Sequence, residues 1–224
     1  GFKHLTQKNN KLRYIQFIDG DCELCAGWLV FAYKFLESKE TCALVAGRRK
    51  ERYPEQSAYN LLCDIEWNTP TGESKQCGGD FMIRRSAFED VGGFNPNVVA
   101  GEEPEMCYRL RKKNWSIIRL DHPMTLHDAA IKNFFQWWRR SIRTGHAYAQ
   151  GHALHFNDGQ KFCLKESLKS WFWALIAPVT ILTLSLIINI KFLLLFIVYM
   201  IQFIKIAAHS YKHLGHAKHS IVYG

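Results

Sequence analysis

The chain has no zinc-finger spacing of cysteine and histidine, no RNA-binding aromatic signature, no internal repeat and no low-complexity tract. It is also short of acid, with 20 Asp and Glu against 29 Lys and Arg and a formal net charge of +9 over 224 residues. A basic excess suits nucleic acid, anionic lipid or phosphorylated ligands. Without a nucleic-acid module, and with lysines and arginines flanking an apolar stretch, the membrane surface is the favoured partner and nucleic acid is not expected. No signal peptide is visible at Gly1. No strand precedes Tyr14, so an α/β sheet built on this sequence is expected to be incomplete on its N-terminal side. No second cysteine pair at zinc spacing accompanies Cys22-Glu23-Leu24-Cys25, which weakens a metal or redox reading of that C-x-x-C. The cysteines number seven, and Cys42, Cys63, Cys77, Cys107 and Cys163 lie beside apolar residues. Buried free thiols in a reducing compartment follow.

What is present is unevenly spread. The hydrophobic fraction is 48%, yet the mean hydropathy is -0.17, because the apolar residues concentrate after about residue 165. Before that, strands and helices alternate, which implies an α/β sheet. Strands are expected at Tyr14–Ile18, Thr41–Ala46, Phe81–Ile83 and Trp115–Leu120. Helices are expected over Glu23–Glu37, with Leu24, Trp28, Phe31 and Phe35 as the apolar stripe, and over Pro54–Glu66, Ser86–Val91, Glu102–Lys113 and Ile131–Gln150. Trp67–Gln76 reads as a loop and His127-Asp128 as the end of a turn after the last strand. The apolar stretch begins with Trp171–Ile190, uncharged and long enough for a bilayer core of about 20 residues. Phe192–Ala208 follows across Asn189 and Lys191, so a two-span hairpin is expected, over about 171–190 and 192–208. A single tilted span or a surface helix pair is the alternative. Lys161, Lys165 and Lys169 on one side and Lys205, Lys212 and Lys218 on the other put both ends in the cytoplasm. His209, His213, His216 and His219 in the tail read as a basic amphipathic tail rather than a metal site.

The chemistry-bearing residues begin at Asp19-Gly20-Asp21, two carboxylates one residue apart in a turn after a buried strand. That arrangement suits a hard divalent cation shared with substrate phosphates; a plain acidic turn is the other reading. Gln136, Arg139, Arg140 and Arg143 share a helix face, and arginine forks match phosphate oxygens. For Arg140 and Arg143 a basic face on anionic lipid has equal standing.

Phe17-Ile18-Asp19-Gly20-Asp21 resembles the DXD motif of GT-A glycosyltransferases. Gly78-Gly79-Asp80-Phe81-Met82-Ile83-Arg84-Arg85 and Val91-Gly92-Gly93-Phe94 follow in the order and spacing typical of family 2 members. Gly101-Glu102-Glu103-Pro104-Glu105, running on to Arg109-Leu110, resembles the acidic motif that supplies the catalytic base, with glutamate where the family often has aspartate. Gln136-Trp137-Trp138-Arg139-Arg140 resembles the Q/R-x-x-R-W motif, with Arg140 in place of its final tryptophan. The resemblance covers roughly Gly1 to Gln150.

It implies a GT-A mixed sheet over residues 1–160, N-terminally incomplete, followed by a transmembrane hairpin and basic tail over 161–224. It implies an inverting, metal-dependent transfer of a sugar from a nucleotide-diphosphate donor to a polysaccharide or lipid-linked acceptor at the cytoplasmic face of the inner (plasma) membrane. Asp21, with Asp19 nearby, would hold Mg²⁺ or Mn²⁺, and His127 would complete the metal site. Glu103 would be the general base, with Glu102 able to share the role and Glu105 a surface or structural residue. Asp80 would touch donor or acceptor sugar, and Gln136, Arg139 and Arg140 the diphosphate or a lipid-linked acceptor. Two other classes compete: a non-catalytic membrane-anchored binding or scaffold module that kept the fold, and a redox or metal protein built on Cys22 and Cys25.

Overall fold

The structure is a computed structural model that describes residue 2 and residues 11–159, 161–202 and 204–205. The histidine series at 209, 213, 216 and 219, Lys212 and Lys218, the close of the second apolar run and most of the segment before Lys11 lie outside the described residues. The chain divides into two compact units, Gly1–Arg140 and Ser141–Gly224.

In the first unit the strands are β1 (Tyr14–Phe17), β2 (Cys22–Leu24), β3 (Cys42–Glu51), β4 (Gly72–Glu73), β5 (Phe81–Arg84) and β6 (Ser116–His127). They form one sheet in the order β1-β5-β3-β6-β2, with β4 also paired to β6. β3 and β6 are parallel and the other pairings antiparallel, so the sheet is mixed. The helices are α1 (Trp28–Ser38), α2 (Ala58–Trp67), α3 (Arg85–Asp90), α4 (Glu102–Lys112) and the opening of α5 (Phe134–Leu154). Ser57 starts α2 by accepting the Asn60 N–H at 3.0 Å. Leu44, Val45, Phe81, Ile83 and Ile117 from the sheet close over Trp28 and Leu36 from α1 and Met106 and Leu110 from α4.

Three expectations need correction. Helix α1 starts at Trp28, because Cys22–Leu24 is spent on pairing with the end of β6. Its buried face is Trp28, Ala32 and Leu36, a turn-by-turn stripe; Phe31 is instead exposed and stacks on His122 with ring centroids 4.3 Å apart. The small Ala32 gives little hydrophobic signal, so the larger Phe31 misplaces the face. β3 runs on through Arg48, Arg49 and Lys50, and β6 runs on through Pro123 to His127. Charge and proline would end a strand read alone, but each half of this pair supplies the other's hydrogen bonds, and the register shifts near Pro123. His127 is therefore the last residue of a strand, not the residue after a turn. Within the expected loop, Gly72–Glu73 pairs with β6.

In the second unit, helical structure runs from Leu164 to Ile187 (α6), long and apolar enough to cross a membrane; it is the one such helix among the described residues. Only 11% of its most apolar window is buried. Residues Phe172–Ile176 widen to a π-turn immediately before Pro178, which has no N–H to give the preceding turn. The Tyr199 hydroxyl donates to the Trp173 carbonyl in that turn at 2.6 Å. α6 ends where Asn189 caps the next segment by accepting the Lys191 N–H at 2.9 Å. A shorter apolar helix follows over Ile190–Gln202.

Candidate active site

The antiparallel pairing of β1 with β5 sets Phe17 opposite Phe81. The residues leaving β1 therefore lie against those entering β5, and this brings Asp19 to Gly79 and Asp80. Asp80 is fully buried. Its carboxylate accepts the Asp19 N–H at 2.8 Å and the Thr125 hydroxyl at 2.8 Å, and it pairs with Arg49 Nη2 at 2.8 Å. Arg49 also reaches Asp19 Oδ2 at 3.1 Å and lies over the Trp67 ring at 5.6 Å. Asp80 thus stands behind Asp19 with its oxygens occupied, fixing that turn. A Cβ on Gly79 would overlap the Asp19 carboxylate, so glycine is required for the two to meet. Arg49 and Thr125 are register partners across β3 and β6. Neither was singled out in the sequence, because both fall in strand halves that the linear pattern does not reveal.

The second cluster forms at the other face of the same turn. Pairing of β2 with β6 sets Cys22 opposite His127, and His127 Nε2 lies 3.3 Å from Asp21 Oδ1. On the far side of the ring, Nδ1 is 3.8 Å from Glu51 Oε2 and is buried without a hydrogen-bond partner. Glu51 is itself buried, and accepts the N–H groups of Tyr53 at 3.1 Å and Ala129 at 3.0 Å. Register explains the contact, since Glu51 is the β3 partner of His127. Carboxylates face both ring nitrogens, Asp21 the nearer; a cation held between Asp21 and Nε2 would take the Nε2 lone pair and leave the tautomer protonated at Nδ1, facing Glu51. Trp67 packs edge-on against the imidazole at 4.6 Å.

Asp21, Cys22 and His127 offer one donor atom each within 4.8 Å of one another. A carboxylate oxygen and an imidazole nitrogen with that tautomer fit a divalent cation of the Mn²⁺ or Mg²⁺ kind. The Cys22 thiol is a soft donor that a hard Mn²⁺ or Mg²⁺ does not favour, so it is a poor third ligand. Asp19 is committed to Arg49. The structure thus brings Asp21 and His127 together as the better pair of the three expected metal ligands.

A cavity of about 350 Å³ is lined by Ile18, Asp19, Gly79, Phe94, Glu102 and Glu103 among others. The two glutamates open α4, where the helix dipole favours negative charge. Glu102 is exposed, whereas Glu103 is 6% exposed. Glu103 Oε1 accepts the Cys77 N–H at 2.7 Å and the thiols of Cys77 at 2.9 Å and Cys107 at 2.8 Å. Burial raises its pKa above the ordinary carboxylate range, and the Cys107 and Cys77 donors oppose that only in part. Glu105 is fully buried rather than at the surface and makes a two-pronged pair with Arg109 at 2.8 and 2.7 Å.

Gln136, Arg139 and Arg140 are not among the residues that line this cavity. Gln136 Oε1 accepts the N–H groups of Lys132 at 2.7 Å and Asn133 at 3.3 Å while Asn133 caps Gln136 in return, a reciprocal capping box. Arg140 pairs with Glu66 at 2.8 Å, and Arg139 is exposed. All seven cysteines are free, with Cys42, Cys63 and Cys107 buried. Burial raises the Cys22 and Cys25 thiols above the ordinary range, the opposite of what a reactive redox pair requires.

Residues 61–133 match a protein family described as the N-terminal domain of galactosyltransferase. That stretch holds Asp80, Glu103 and His127. No curated protein matches the sequence. Among solved structures, the mannosyltransferase PcManGT from Pyrobaculum calidifontis, in complex with GDP-Man and Mn²⁺, is 15% identical with a TM-score of 0.57; the match covers 98% of this chain and 65% of the mannosyltransferase. TarS of S. aureus is 12% identical over 76% of this chain and 30% of its own, with a TM-score of 0.47. GalNAc-T7, solved with UDP, GalNAc and Mn²⁺, is 13% identical over 80% of this chain and 43% of its own, with a TM-score of 0.36. The mixed α/β unit has the fold of a GT-A glycosyltransferase.

Proposed function

From the GT-A glycosyltransferase fold as premise, we propose that the chain is catalytic: a metal-dependent transfer of a sugar from a nucleotide-diphosphate donor to a saccharide or lipid-linked acceptor, with inversion. The convergence of Asp21 Oδ1 and His127 Nε2 at 3.3 Å carries this reading. They sit beside Asp19, which lines the same cavity as Glu103. A structural neighbour was solved with GDP-Man and Mn²⁺, and Mn²⁺ or Mg²⁺ is the ion we assign to Asp21 and His127. A cation held by Asp21 and His127 would neutralise charge on the departing diphosphate. Asp19, held by Arg49 and backed by Asp80, orients the donor. Glu103 takes the proton of the acceptor hydroxyl on its carboxylate as that hydroxyl attacks, and a pKa raised by burial makes it a better base. Glu102, exposed at the rim, assists with acceptor contacts. One base and a direct displacement at the anomeric carbon would give inversion.

We take residues 1–160 as the catalytic part and 161–224 as the membrane segment, with spans near 171–190 and 192–208 and the catalytic part at the cytoplasmic face of the inner membrane. The exposed Arg139 is the candidate contact to the diphosphate of a lipid-linked acceptor, and Arg140 and Gln136 steady the helix that carries it.

The test is calorimetry of the full-length protein in detergent against GDP- and UDP-sugars, with and without Mn²⁺. Binding should require the ion, vanish in Asp21→Asn, and persist without turnover in Glu103→Gln. Donor binding that ignores the metal, or survives Asp21→Asn intact, overturns the donor-site assignment.

A further inference from the structure

The thiols of Cys77 and Cys107 converge on a single carboxylate oxygen, at 2.9 and 2.8 Å from Glu103 Oε1, and lie 3.8 Å from each other. The helix itself makes half of this arrangement, since Cys107 lies one turn beyond Glu103 on α4. The other half comes from the segment leading to Gly78-Gly79, where the Cys77 N–H also bonds Glu103 at 2.7 Å. Sugar transfer has no use for a second pair of thiols at its base.

Two thiolates bound to one tetrahedral ion at about 2.3 Å each stand about 3.8 Å apart, the separation already present here. The sulfur–oxygen separations are shorter than the tetrahedral edge of about 3.5 Å that the same bond lengths require, so the carboxylate must withdraw by a little over half an ångström. Glu103 lines the cavity, which offers an entry route. Cys77 is half-buried, so the cluster is not sealed.

We propose that Cys77, Cys107 and Glu103 form a second metal site, selective for a thiophilic divalent cation such as Zn²⁺ or Cd²⁺, and that filling it stops transfer by tying up the carboxylate that accepts the acceptor's proton. Both thiol protons leave to solvent as the cation enters. Thiolate ligands reject Mg²⁺ and Mn²⁺, whereas the Asp21 carboxylate suits them, so the two sites sort ions by softness. The inhibitory consequence rests on the assignment of Glu103 as base; the binding does not.

The probe is Cd²⁺ alone, titrated without donor sugar into the full-length protein in detergent. A Cys22→Ser/Cys25→Ser background silences the other neighbouring thiols. The sulfur-to-cadmium charge-transfer absorption should saturate at one equivalent, disappear on adding Cys77→Ser or Cys107→Ser, and weaken by about tenfold or more in affinity in Glu103→Gln. Mn²⁺-dependent donor binding by each variant checks that it is folded. No absorption in the background protein, or absorption undiminished in a folded Cys77→Ser variant, overturns the site. For inhibition, Zn²⁺ is added under saturating Mn²⁺, and Cys77→Ala should need about tenfold more Zn²⁺ than wild type to lose the same activity. Equal sensitivity overturns the inhibitory role. Turnover by Glu103→Gln would instead refute the base assignment, while cadmium binding alone still decides whether the site exists.

Discussion

At the scale of the residue, His127 needs both ring nitrogens accounted for. Nε2 faces Asp21, and Nδ1 faces a buried Glu51 that accepts two backbone N–H groups and waits 3.8 Å away. A metal held on Nε2 would make an Nδ1 proton more acidic, and Glu51 is the group placed to accept its hydrogen bond. Glu51→Gln keeps the shape and one of the two acceptor oxygens but removes the charge. It should lower Mn²⁺ affinity by about ten- to a hundredfold in an electron paramagnetic resonance titration; an unchanged affinity would reduce Glu51 to packing. Glu103 carries a pH prediction. Its carboxylate is raised by burial, and transfer needs it deprotonated, so activity should fall on the acid side at a pH above the ordinary carboxylate range. Cys107→Ala removes a donor that pulls Glu103 down, so the acid limb of kcat/KM should move further up; a limb that stays put would deny the thiol any influence. Gly79→Ala should abolish donor binding with little loss of Tm, because the half-exposed Asp19 can swing away from the added methyl. Asp19, Asp21 and Glu103 could be picked out as candidates because each sits in a short contiguous pattern. Arg49, Glu51 and Thr125 were not, because they matter only through strand register, which no local pattern encodes.

At the scale of the element, α4 is anchored by Glu105 and Arg109. Arg109 grips Glu105 and also donates to the carbonyls of Val91 and Gly93, at 2.7 Å for the latter. The helix that presents Glu102 and Glu103 is thereby tied to the turn after α3, where Gly92 and Gly93 both adopt positive φ. Glu105→Ala leaves a guanidinium without its carboxylate and should cost about 3–5 kcal/mol in a urea unfolding curve. A loss below about 1 kcal/mol, the range of exposed pairs, would show that solvent already screens the pair. The bounds of α4 could be read from its acidic start and basic end. The extent of β3 and β6 could not, because the basic run Arg48–Lys50 and Pro123 look like strand ends until the two strands are laid side by side.

At the scale of the whole molecule, the apolar face of α6 is the largest departure from a soluble chain, with Leu186 and Ile187 84% and 78% exposed. The protein should stay with membranes through alkaline carbonate extraction. Val179→Arg, near the middle of α6, should release a measurable fraction, since an arginine there costs about 2.5–3.5 kcal/mol of insertion; retention unchanged would point to attachment by other means. The two strands that carry Arg49, Glu51, Thr125 and His127 hold one further consequence. A ladder continued without interruption from Ala46 opposite Arg119 would set Met124, not His127, across from Glu51. The irregularities around Arg48 and Pro123 therefore choose which side chain stands beside Asp21, and one residue more or fewer between them turns every later side chain to the opposite face. These two stretches can drift in sequence but not in length: gaps between this chain and its homologues should fall in the loops, and never within Gly47–Glu51 or Arg119–His127.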